Sequence, residues 1–402
     1  MTKSKKKEKL CIILPSLEVG GVEKLWLEFA RRTKKFDVCI LVLSDRIDVS
    51  LLERGDKILE AKNIISKRNF FFTYCFGRID LTSFDHIHCV DRFGLLFATE
   101  AQKNLNCKIT MGIYQSNEML WSPSFHYAKL QSVVFERLLG SNIYFGNDYV
   151  KKIYDKRFLI CTAPHCVFPA GIKLFAPKTP SKVNYHIAII GRHTNFKSYI
   201  QNFLSTWKNS NFGVRKETSV SVVGDGPLTP LLKRKFPEAS FLGTLQYNEL
   251  RMLLEDVDFV LCSGTTVPLV ASSGTPVLLG EENSEHAKTI GFFHEVEQEA
   301  YNLSTVDSHM WEFTRAVKRF YAHVQFDESV PGRNVEKAQI YDIKNTVQNF
   351  EYFFEQSDYT TNKITRTESW WYRISLFMWL LFEIACNRKI IRSRYLSSNE
   401  HH

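Results

Sequence analysis

Two cationic side chains suited to binding phosphate, Arg192 and Lys197, follow an apolar run that ends at Ile190. When a phosphorylated leaving group departs from a substrate, negative charge builds on its oxygens, and nearby cations stabilise that charge. Arg192 and Lys197 are therefore candidate phosphate-binding residues. An exposed surface pair is the alternative interpretation.

A second candidate phosphate site is the sequence Ser-Gly-Thr-Thr at 263–266, which follows an apolar run and precedes a short helical stretch. Backbone N–H groups are unpaired at the start of a helix, and the helix dipole favours an anion there. We expect Gly264, Thr265 and Thr266 to bind phosphate. Because proline is tolerated in a first turn, Pro268 indicates that this helix begins near Thr266. An ordinary crossover between parallel strands would give the same pattern.

Gly20 and Gly21 end the loop after the first apolar run and precede a helical pattern. Glycine lets a ligand approach the backbone closely because it has no side chain. Glu23 falls in the first helical turn, where a carboxylate suits the positive end of the dipole. Gly20 and Gly21 are therefore candidate contacts to a sugar or phosphate, with a simple tight turn as the alternative.

These residues lie within two alternating series of strand and helix patterns. The first series has strand patterns at 10–15, 36–43, 86–90, 108–113 and 142–145. The second has strand patterns at 185–190, 219–223, 241–242, 259–262 and 277–279. Alternation of this kind predicts two parallel sheets, each covered by helices on both faces. Ligands of such sheets bind beyond the carboxyl ends of strands, which also directs attention to Asp91, Arg92 and the loop 114–118.

A polar stretch with prolines separates the two series near 170–180 and is typical of a linker. We therefore predict an α/β protein with an N-terminal Rossmann-like domain at 1–170, a second Rossmann-like domain at 181–310, and a helical C-terminal extension at 311–402. The two Rossmann-like domains would face a central cleft.

The extension includes a segment rich in Trp, Phe, Leu and Ile at 370–386, with basic residues after it. As a helix it would be about 25 Å long at about 1.5 Å per residue, which is shorter than a bilayer core of roughly 30 Å. It is a poor candidate for a membrane span. An interfacial helix with a basic flank and a helix packed back onto a domain are both consistent with it.

The composition of the 402 residues, 44% hydrophobic and 24% charged, is that of a globular protein. Nine cysteines without CxxC pairs favour reduced thiols in a cytoplasmic protein over a disulfide framework or a zinc site. The net charge of +9 suits peripheral contact with anionic lipid on the inner face of the cytoplasmic membrane, or with a polyanionic glycan. No nucleic-acid-binding motif accompanies the charge, so nucleic acid is not an expected partner.

Five segments, in order, resemble motifs of GT-B glycosyltransferases, specifically the large retaining family 4. They are Val-Gly-Gly-Val-Glu at 19–23, the Gly-Arg…Lys segment at 190–197, Val-Gly-Asp-Gly-Pro at 223–227, Phe-Leu-Gly-Thr at 241–244, and 263–276 with its Gly-Thr-Pro ending. Each motif alone is weak, and their order and spacing over residues 10–280 make the resemblance specific. It implies a GT-B fold and a nucleotide diphosphate sugar, UDP- or GDP-linked, as co-substrate.

The resemblance also implies roles for loops of the first domain. The family's acceptor loop corresponds to residues 114–118, with Gln115 where a histidine would be expected. Glu118 is a candidate for orienting an acceptor hydroxyl. Asp91 and Arg92 are further catalytic candidates, with loop capping and surface charge as the alternative. Retaining transfer in this family is attributed to front-face departure and attack, with the leaving phosphate taking the acceptor proton, so Gln115 does not exclude activity.

The larger departure from the family is Leu269, which stands where a glutamate is expected to bind the donor ribose. The family's earlier, sugar-binding glutamate has no counterpart because the loop is short. The hydroxyls of Thr265 and Thr266 could replace one of these contacts. Losing a ribose contact would cost about 1–3 kcal/mol of binding, which an enzyme tolerates but which also fits a degenerate subunit.

No metal or other cofactor is expected, because side chains and helix ends meet the diphosphate charge in GT-B sites. The chain has no DxD-type carboxylate pair in a suitable loop. His86 and His88 would lie on one face of a strand, and we interpret them as ordinary strand residues in preference to a pair of metal ligands.

The leading hypothesis is a hexosyltransferase that acts, with retention, on lipopolysaccharide, capsule or another lipid-linked glycan acceptor. A non-catalytic GT-B protein that binds a glycan or partners an active transferase is the alternative, supported by Leu269 and Gln115. A GT-B epimerase is a third hypothesis. A dehydrogenase is disfavoured because no GxGxxG motif opens a helix after either first strand.

Overall fold

The computed structural model describes residues 7–18, 20–43, 46–60, 81–101, 107–114, 119, 133–178, 183–214, 218–296, 310–359, 367, 371 and 374. The chain divides into two compact units. Among the described residues, the first comprises those up to Gly171 and those from Ile343 onward, and the second comprises those within Ile172–Asp342. Each unit is built on its own parallel sheet.

The first sheet has six parallel strands in the order β3-β2-β1-β4-β5-β6. The strands are β1 (Glu8–Leu14), β2 (Phe36–Val42), β3 (Ile58–Glu60), β4 (His86–Cys89), β5 (Lys108–Ile113) and β6 (Ile143–Phe145). Residues 10–14 of the central strand β1 are all buried, as expected for a strand covered on both faces.

The second sheet has five parallel strands in the order β11-β10-β7-β8-β9. The strands are β7 (His186–Ile190), β8 (Ser219–Val223), β9 (Ser240–Gly243), β10 (Phe259–Cys262) and β11 (Val277–Leu279). A short antiparallel pair, β12 (Lys288–Thr289) and β13 (Trp311–Glu312), lies in the same unit.

Helices connect and cover the strands. They are α1 (Gly21–Arg32), α2 (Arg92–Ala101), α3 (Asp148–Phe158), α4 (Tyr199–Ser210), α5 (Thr229–Lys235), α6 (Tyr247–Asp256), α7 (Thr266–Ala271), α8 (Phe313–Ala322), α9 (Ser329–Ala338) and α10 (Ile343–Gln356). Helices α8 and α9 belong to the second unit, whereas α10 belongs to the first.

Helix α10 closes the aromatic core of the first unit. Its Phe350 ring lies 4.6 Å from Trp26 of α1 and 4.8 Å from Tyr144 of β6, measured between ring centroids. Phe353 and Phe354 of the same helix are fully buried in this cluster. Aromatic pairs at these spacings add to the free energy that burial of their large apolar surfaces supplies. This packing explains why the last described helix belongs to the first unit.

In both sheets the strand order reverses direction beside the first strand, as in the Rossmann fold. The reversal lies between β1 and β4 in the first sheet, and between β7 and β10 in the second. Ligands of doubly wound sheets bind at such switch points, beyond the carboxyl ends of the strands. These two points are where the predicted site residues have to be sought.

The predicted α/β architecture with two Rossmann-like parallel sheets is confirmed, and all ten predicted strands are present. The sequence patterns missed β3, β12 and β13. Strands β12 and β13 have only two residues each, too few to show a periodicity, and β3 has a single apolar pair, Ile58 and Leu59. The segment 370–386 lies outside the described residues apart from Trp371 and Ile374. Within the part of the chain that the structure describes, no helix is long and apolar enough to cross a membrane.

Candidate functional site

Three polar side chains meet at the switch point of the second sheet. Lys197 follows β7 in a single 3-10 turn, Ser263 follows β10 directly, and Glu282 follows β11. Lys197 Nζ donates a hydrogen bond to Ser263 Oγ over 2.6 Å and forms an ion pair with Glu282 Oε1. Ser263 Oγ donates to the same Glu282 oxygen over 2.7 Å. We call these three residues the Lys197 cluster.

The Lys197 cluster is partly shielded from solvent. The side chain of Lys197 is 17% exposed and that of Glu282 is 26% exposed. Salt screens partly buried charges less than exposed ones. Salt therefore weakens the attraction between Lys197 and Glu282 less than it would weaken that of a fully exposed ion pair.

A buried tyrosine supports the cluster from below. Tyr199 OH donates a hydrogen bond to the carbonyl oxygen of Ile190 over 3.0 Å and lies 3.3 Å from Ser263 Oγ. Tyr199 packs against two glycines. A β-carbon at Gly191 would lie 2.5 Å from the Tyr199 hydroxyl oxygen, and one at Gly280 would lie 2.7 Å from the Tyr199 ring. Burial raises the pKa of Tyr199 well above its usual value, so the hydroxyl stays protonated and keeps donating.

A second polar group lies beside the turn after β8. His193 Nδ1 is 2.7 Å from Thr229 Oγ1, and Thr229 Oγ1 donates to Asp225 Oδ1 over 2.5 Å. A carboxylate only accepts, so the threonine proton points to Asp225 and His193 must hold its own proton on Nδ1. Burial lowers the pKa of His193, which keeps the ring neutral. Its Nε2 is thus an enclosed acceptor with no hydrogen-bond partner among the described residues.

Asp225 stabilises the turn of the Gly-Asp-Gly-Pro segment at 224–227. Its Oδ1 accepts the N–H of Gly226 over 2.7 Å as well as the Thr229 hydroxyl. These bonds lower the pKa of the Asp225 carboxyl, so it stays ionised. This turn also positions His193, because the backbone N–H of His193 donates to the backbone carbonyl oxygen of Asp225 over 3.0 Å.

The other predicted phosphate-binding residues of the second unit lie in the same two loops as Lys197 and Ser263, after β7 and β10. Arg192 is exposed and follows β7 by two residues. Gly264 has a φ of +65°, and a β-carbon there would lie 3.9 Å from Lys197 Nζ. Thr266 is the first residue of α7, as Pro268 predicts, and Thr265 precedes it. Because α7 has only six residues, its dipole is short.

In the first unit, Gly20 and Gly21 lie at the start of α1, beside the switch point of that sheet. A β-carbon on Gly20 would lie 2.1 Å from Glu23 Oε2. The Glu23 carboxylate therefore folds back over the first turn of α1, where the sequence places it. Contact of Gly20 and Gly21 with a sugar or phosphate stays a prediction.

The catalytic candidates of the first unit follow β4 at the same switch point. Asp91 Oδ1 accepts the N–H of Gly94 over 2.7 Å and so caps α2, and Arg92 is the first residue of that helix. This bond gives Asp91 a structural role, while a catalytic role for Asp91 or Arg92 stays a prediction. Glu118 and Gln115 lie outside the described residues.

Leu269 is part of a hydrophobic core. It is half-buried on α7 and packs against a cluster of buried residues that includes Val270, Val277 and Phe293. The side chain at the position where the resemblance predicts a ribose-binding glutamate thus contributes packing. If the ribose is held by a carboxylate in this chain, that carboxylate comes from elsewhere.

His86 and His88 are strand residues of β4, as interpreted from the sequence. His88 Nδ1 lies 2.9 Å from Thr110 Oγ1, and its Nε2 lies 3.0 Å from Tyr114 OH, which also accepts from Trp26 Nε1 over 3.1 Å. Within the described ranges, no three or more His, Cys, Asp or Glu side chains come together as a metal-ion site would require.

Sequence reasoning missed Glu282, Tyr199 and His193 as members of the site. One signal could have identified Glu282, since two glutamates follow the strand pattern at 277–279 where its carboxyl end must lie. No local pattern indicates that Tyr199 lies under Ser263. Their contact depends on β7 and β10 being neighbours in the sheet.

Comparison with known proteins identifies the fold. No protein-family model and no curated protein sequence matches the chain. Solved structures match it at low identity. Sucrose-phosphate synthase (tll1590) from Thermosynechococcus elongatus matches with a TM-score of 0.61 at 12% identity, covering 87% of this chain and 99% of its own. Anabaena Alr3699/HepE in complex with UDP-glucose matches with a TM-score of 0.62 at 12% identity, covering 86% and 99%.

A lipopolysaccharide outer core galactosyltransferase, WaaB, matches with a TM-score of 0.53 at 14% identity, covering 86% of this chain and 99% of its own. Structural matches at such low sequence identity establish the fold alone, and the activity has to be argued from the residues of the site. Membership of retaining family 4 stays a prediction. Two Rossmann-ordered sheets and matches over most of the chain show that this protein has the GT-B fold of glycosyltransferases.

Proposed function

We propose that this protein is a hexosyltransferase that uses a UDP- or GDP-linked sugar as donor. The acceptor is a lipid-linked glycan such as lipopolysaccharide or capsule, and the transfer retains the anomeric configuration. The observation that carries the proposal is the Lys197 cluster at the switch point of the second sheet. It lies in a fold shared with Alr3699/HepE, a protein solved with UDP-glucose.

In this proposal Lys197 and Arg192 meet the charge that develops on the departing nucleoside diphosphate, without a metal ion. The Lys197 ammonium has three N–H donors, and its contacts to Ser263 and Glu282 use two of them. No hydrogen bond of the third N–H to another described residue is present, so in this proposal it donates to a phosphate oxygen. Gly264 leaves room for that oxygen because it has no side chain beside Lys197 Nζ.

In this proposal Gly20 and Gly21 contact the sugar or phosphate of the donor. Asp91, Arg92 and Glu118 are the catalytic candidates that face the acceptor. The net charge of +9 supports work at the inner face of the cytoplasmic membrane, where lipid-linked acceptors and anionic headgroups are both present.

Two observations favour a second candidate, a non-catalytic GT-B subunit that binds a glycan or an active transferase. Lys197 is paired internally with Glu282, and Leu269 packs into the core. Both would follow if the donor site had lost its ligand. The retained Arg192, Lys197 and Gly264 count against this candidate.

Thermal unfolding with UDP-, GDP-, ADP- and CMP-sugars, each added alone, tests the proposal. A ligand at 100 times its dissociation constant adds about 2.7 kcal/mol to stability. We expect one UDP- or GDP-sugar to stabilise the wild type, and Lys197→Met to lose that stabilisation. Lys208→Met is the control, because it also removes a lysine that is paired with a glutamate. Lys208 lies in the last turn of α4, and its Nζ lies 3.4 Å from Glu238 Oε1.

Flat curves for the whole panel would overturn the transferase proposal in favour of the non-catalytic subunit. Equal loss of stabilisation in Lys208→Met would show that Lys197 acts only through general charge. Release of the nucleoside diphosphate from the stabilising sugar, dependent on a lipid-linked glycan, distinguishes a transferase from a protein that only binds.

A further inference from the structure

The carboxylate of Glu282 uses only one of its two oxygens inside the protein. Oε1 receives both the Lys197 ammonium and the Ser263 hydroxyl. Oε2 has no hydrogen-bond partner among the residues that the structure describes. The side chain is 26% exposed, so this oxygen belongs to a group that solvent and ligands reach.

Hydrogen-bond directions fix what the Lys197 cluster offers to a ligand. Lys197 donates a hydrogen bond to Ser263 Oγ, and the Ser263 hydroxyl donates its only hydrogen bond to Glu282 Oε1. The cluster therefore presents one ammonium N–H and one carboxylate oxygen side by side. An ammonium binds a phosphate oxygen, whereas a carboxylate oxygen accepts from a hydroxyl and repels phosphate.

The ion pair holds the Lys197 ammonium and the Glu282 carboxylate next to each other. Together they could bind a phosphate and a neighbouring sugar hydroxyl, with the ammonium donating to the phosphate and Oε2 accepting from the hydroxyl. A bare phosphate or pyrophosphate would accept a hydrogen bond from Lys197, but it would also lie close to the negatively charged Glu282 carboxylate and offer no hydroxyl to Oε2. A ligand that carries a hydroxyl beside its phosphate would satisfy both groups.

We propose that Glu282 is a specificity-determining residue of the donor site, whose Oε2 accepts a hydrogen bond from a sugar hydroxyl beside the phosphate bound by Lys197. The inference rests on the proposed function, because it takes the nucleotide sugar as the ligand. It also provides a carboxylate in a unit whose α7 has Leu269 packed into the core. The hydroxyl belongs to the ribose or to the transferred hexose, and both have the required chemistry.

Titration calorimetry of Glu282→Gln tests the proposal. Glutamine has the same shape and keeps an acceptor for Lys197 and Ser263, but it lacks the charge. The ligands are UDP-glucose, GDP-mannose, UDP, glucose 1-phosphate and inorganic pyrophosphate. Glu285→Gln is the matched control, since Glu285 is an exposed glutamate of the same loop.

We expect Glu282→Gln to bind the better nucleotide sugar about tenfold more weakly than wild type, as for loss of a hydrogen bond to a charged group. The same variant should bind pyrophosphate as tightly as wild type or more tightly, because a like charge is gone. Glu285→Gln should leave both affinities unchanged. A weakened UDP would assign the hydroxyl to the ribose, and a weakened glucose 1-phosphate would assign it to the hexose.

A parallel change for the nucleotide sugar and pyrophosphate would show that Glu282 only holds Lys197 in place, and it would overturn the inference. Unchanged affinities of Glu282→Gln for both ligands would also overturn the inference, while binding of the nucleotide sugar by wild type would leave the proposed function intact. Failure of wild type to bind either nucleotide sugar would overturn the inference together with the proposed function.

Discussion

Gly224 and Gly191 approach so closely that a β-carbon on Gly224 would lie 2.0 Å from the Gly191 carbonyl oxygen. Gly224 also has a φ of +123°, a region that L-residues with side chains rarely adopt. The two glycines directly follow β7 and β8, which are neighbours in the sheet. The close approach brings the turn after β8 against the loop that holds Arg192, His193 and Lys197.

Replacing Gly224 with alanine should therefore destabilise the second unit. Backbone strain alone costs about 1–3 kcal/mol, and the contact with the Gly191 oxygen adds to it. Gly243→Ala is the control, because Gly243 also has a positive φ, of +70°, but has no atom within 4 Å of its β-carbon position. Urea unfolding should show the larger loss for Gly224→Ala. Equal losses would mean that the approach to Gly191 relaxes at no cost.

The tautomer of His193 leads to a second prediction. His193→Asn retains a group that bonds Thr229 and removes the unpaired acceptor at Nε2, whereas His193→Gln places an amide near Nε2 and abandons Thr229. Leaving a buried polar group unpaired costs about 1–3 kcal/mol. We expect His193→Gln to be the less stable variant by about that amount in urea unfolding. The reverse order would mean that the proton lies on Nε2.

Burial of His88 should make the first unit sensitive to acid. Burial lowers the pKa of His88 to about 3, below the usual value of 6.5 that applies in the unfolded chain. Between pH 6.5 and pH 3, His88 is thus mostly protonated in the unfolded state and mostly neutral in the folded state. The His88 contribution to stability is complete above pH 6.5 and is lost as the pH falls towards 3, by about 1.4 kcal/mol per pH unit.

The comparison of wild type with His88→Asn isolates this effect from that of other histidines. The stability advantage of wild type should shrink by about 2 kcal/mol between pH 6.5 and pH 5 in urea unfolding. An advantage that stays constant over this range would show that His88 is protonated in the folded protein or exchanges its partners without cost.

The sequence by itself determined ten of the strands in the described residues, their alternation with helices, and the loops that hold Lys197 and Ser263. Apolar runs such as 259–262 and 277–279 are local signals, because burial of a strand on both faces requires neighbouring residues to be apolar. The start of α7 near Thr266 and the turn-forming role of Asp225 were predictable for the same reason, since helix starts and turns depend on a few consecutive residues.

Only the tertiary structure decided which polar groups meet. Lys197 contacts Ser263 across 66 residues and Glu282 across 85 residues of sequence. These contacts exist because β10 lies between β7 and β11, and strand order is fixed by how the helices pack on the sheet. Local patterns carry no information about that order. The sequence therefore located the loops, whereas the pairing of Lys197 with Glu282 required the fold.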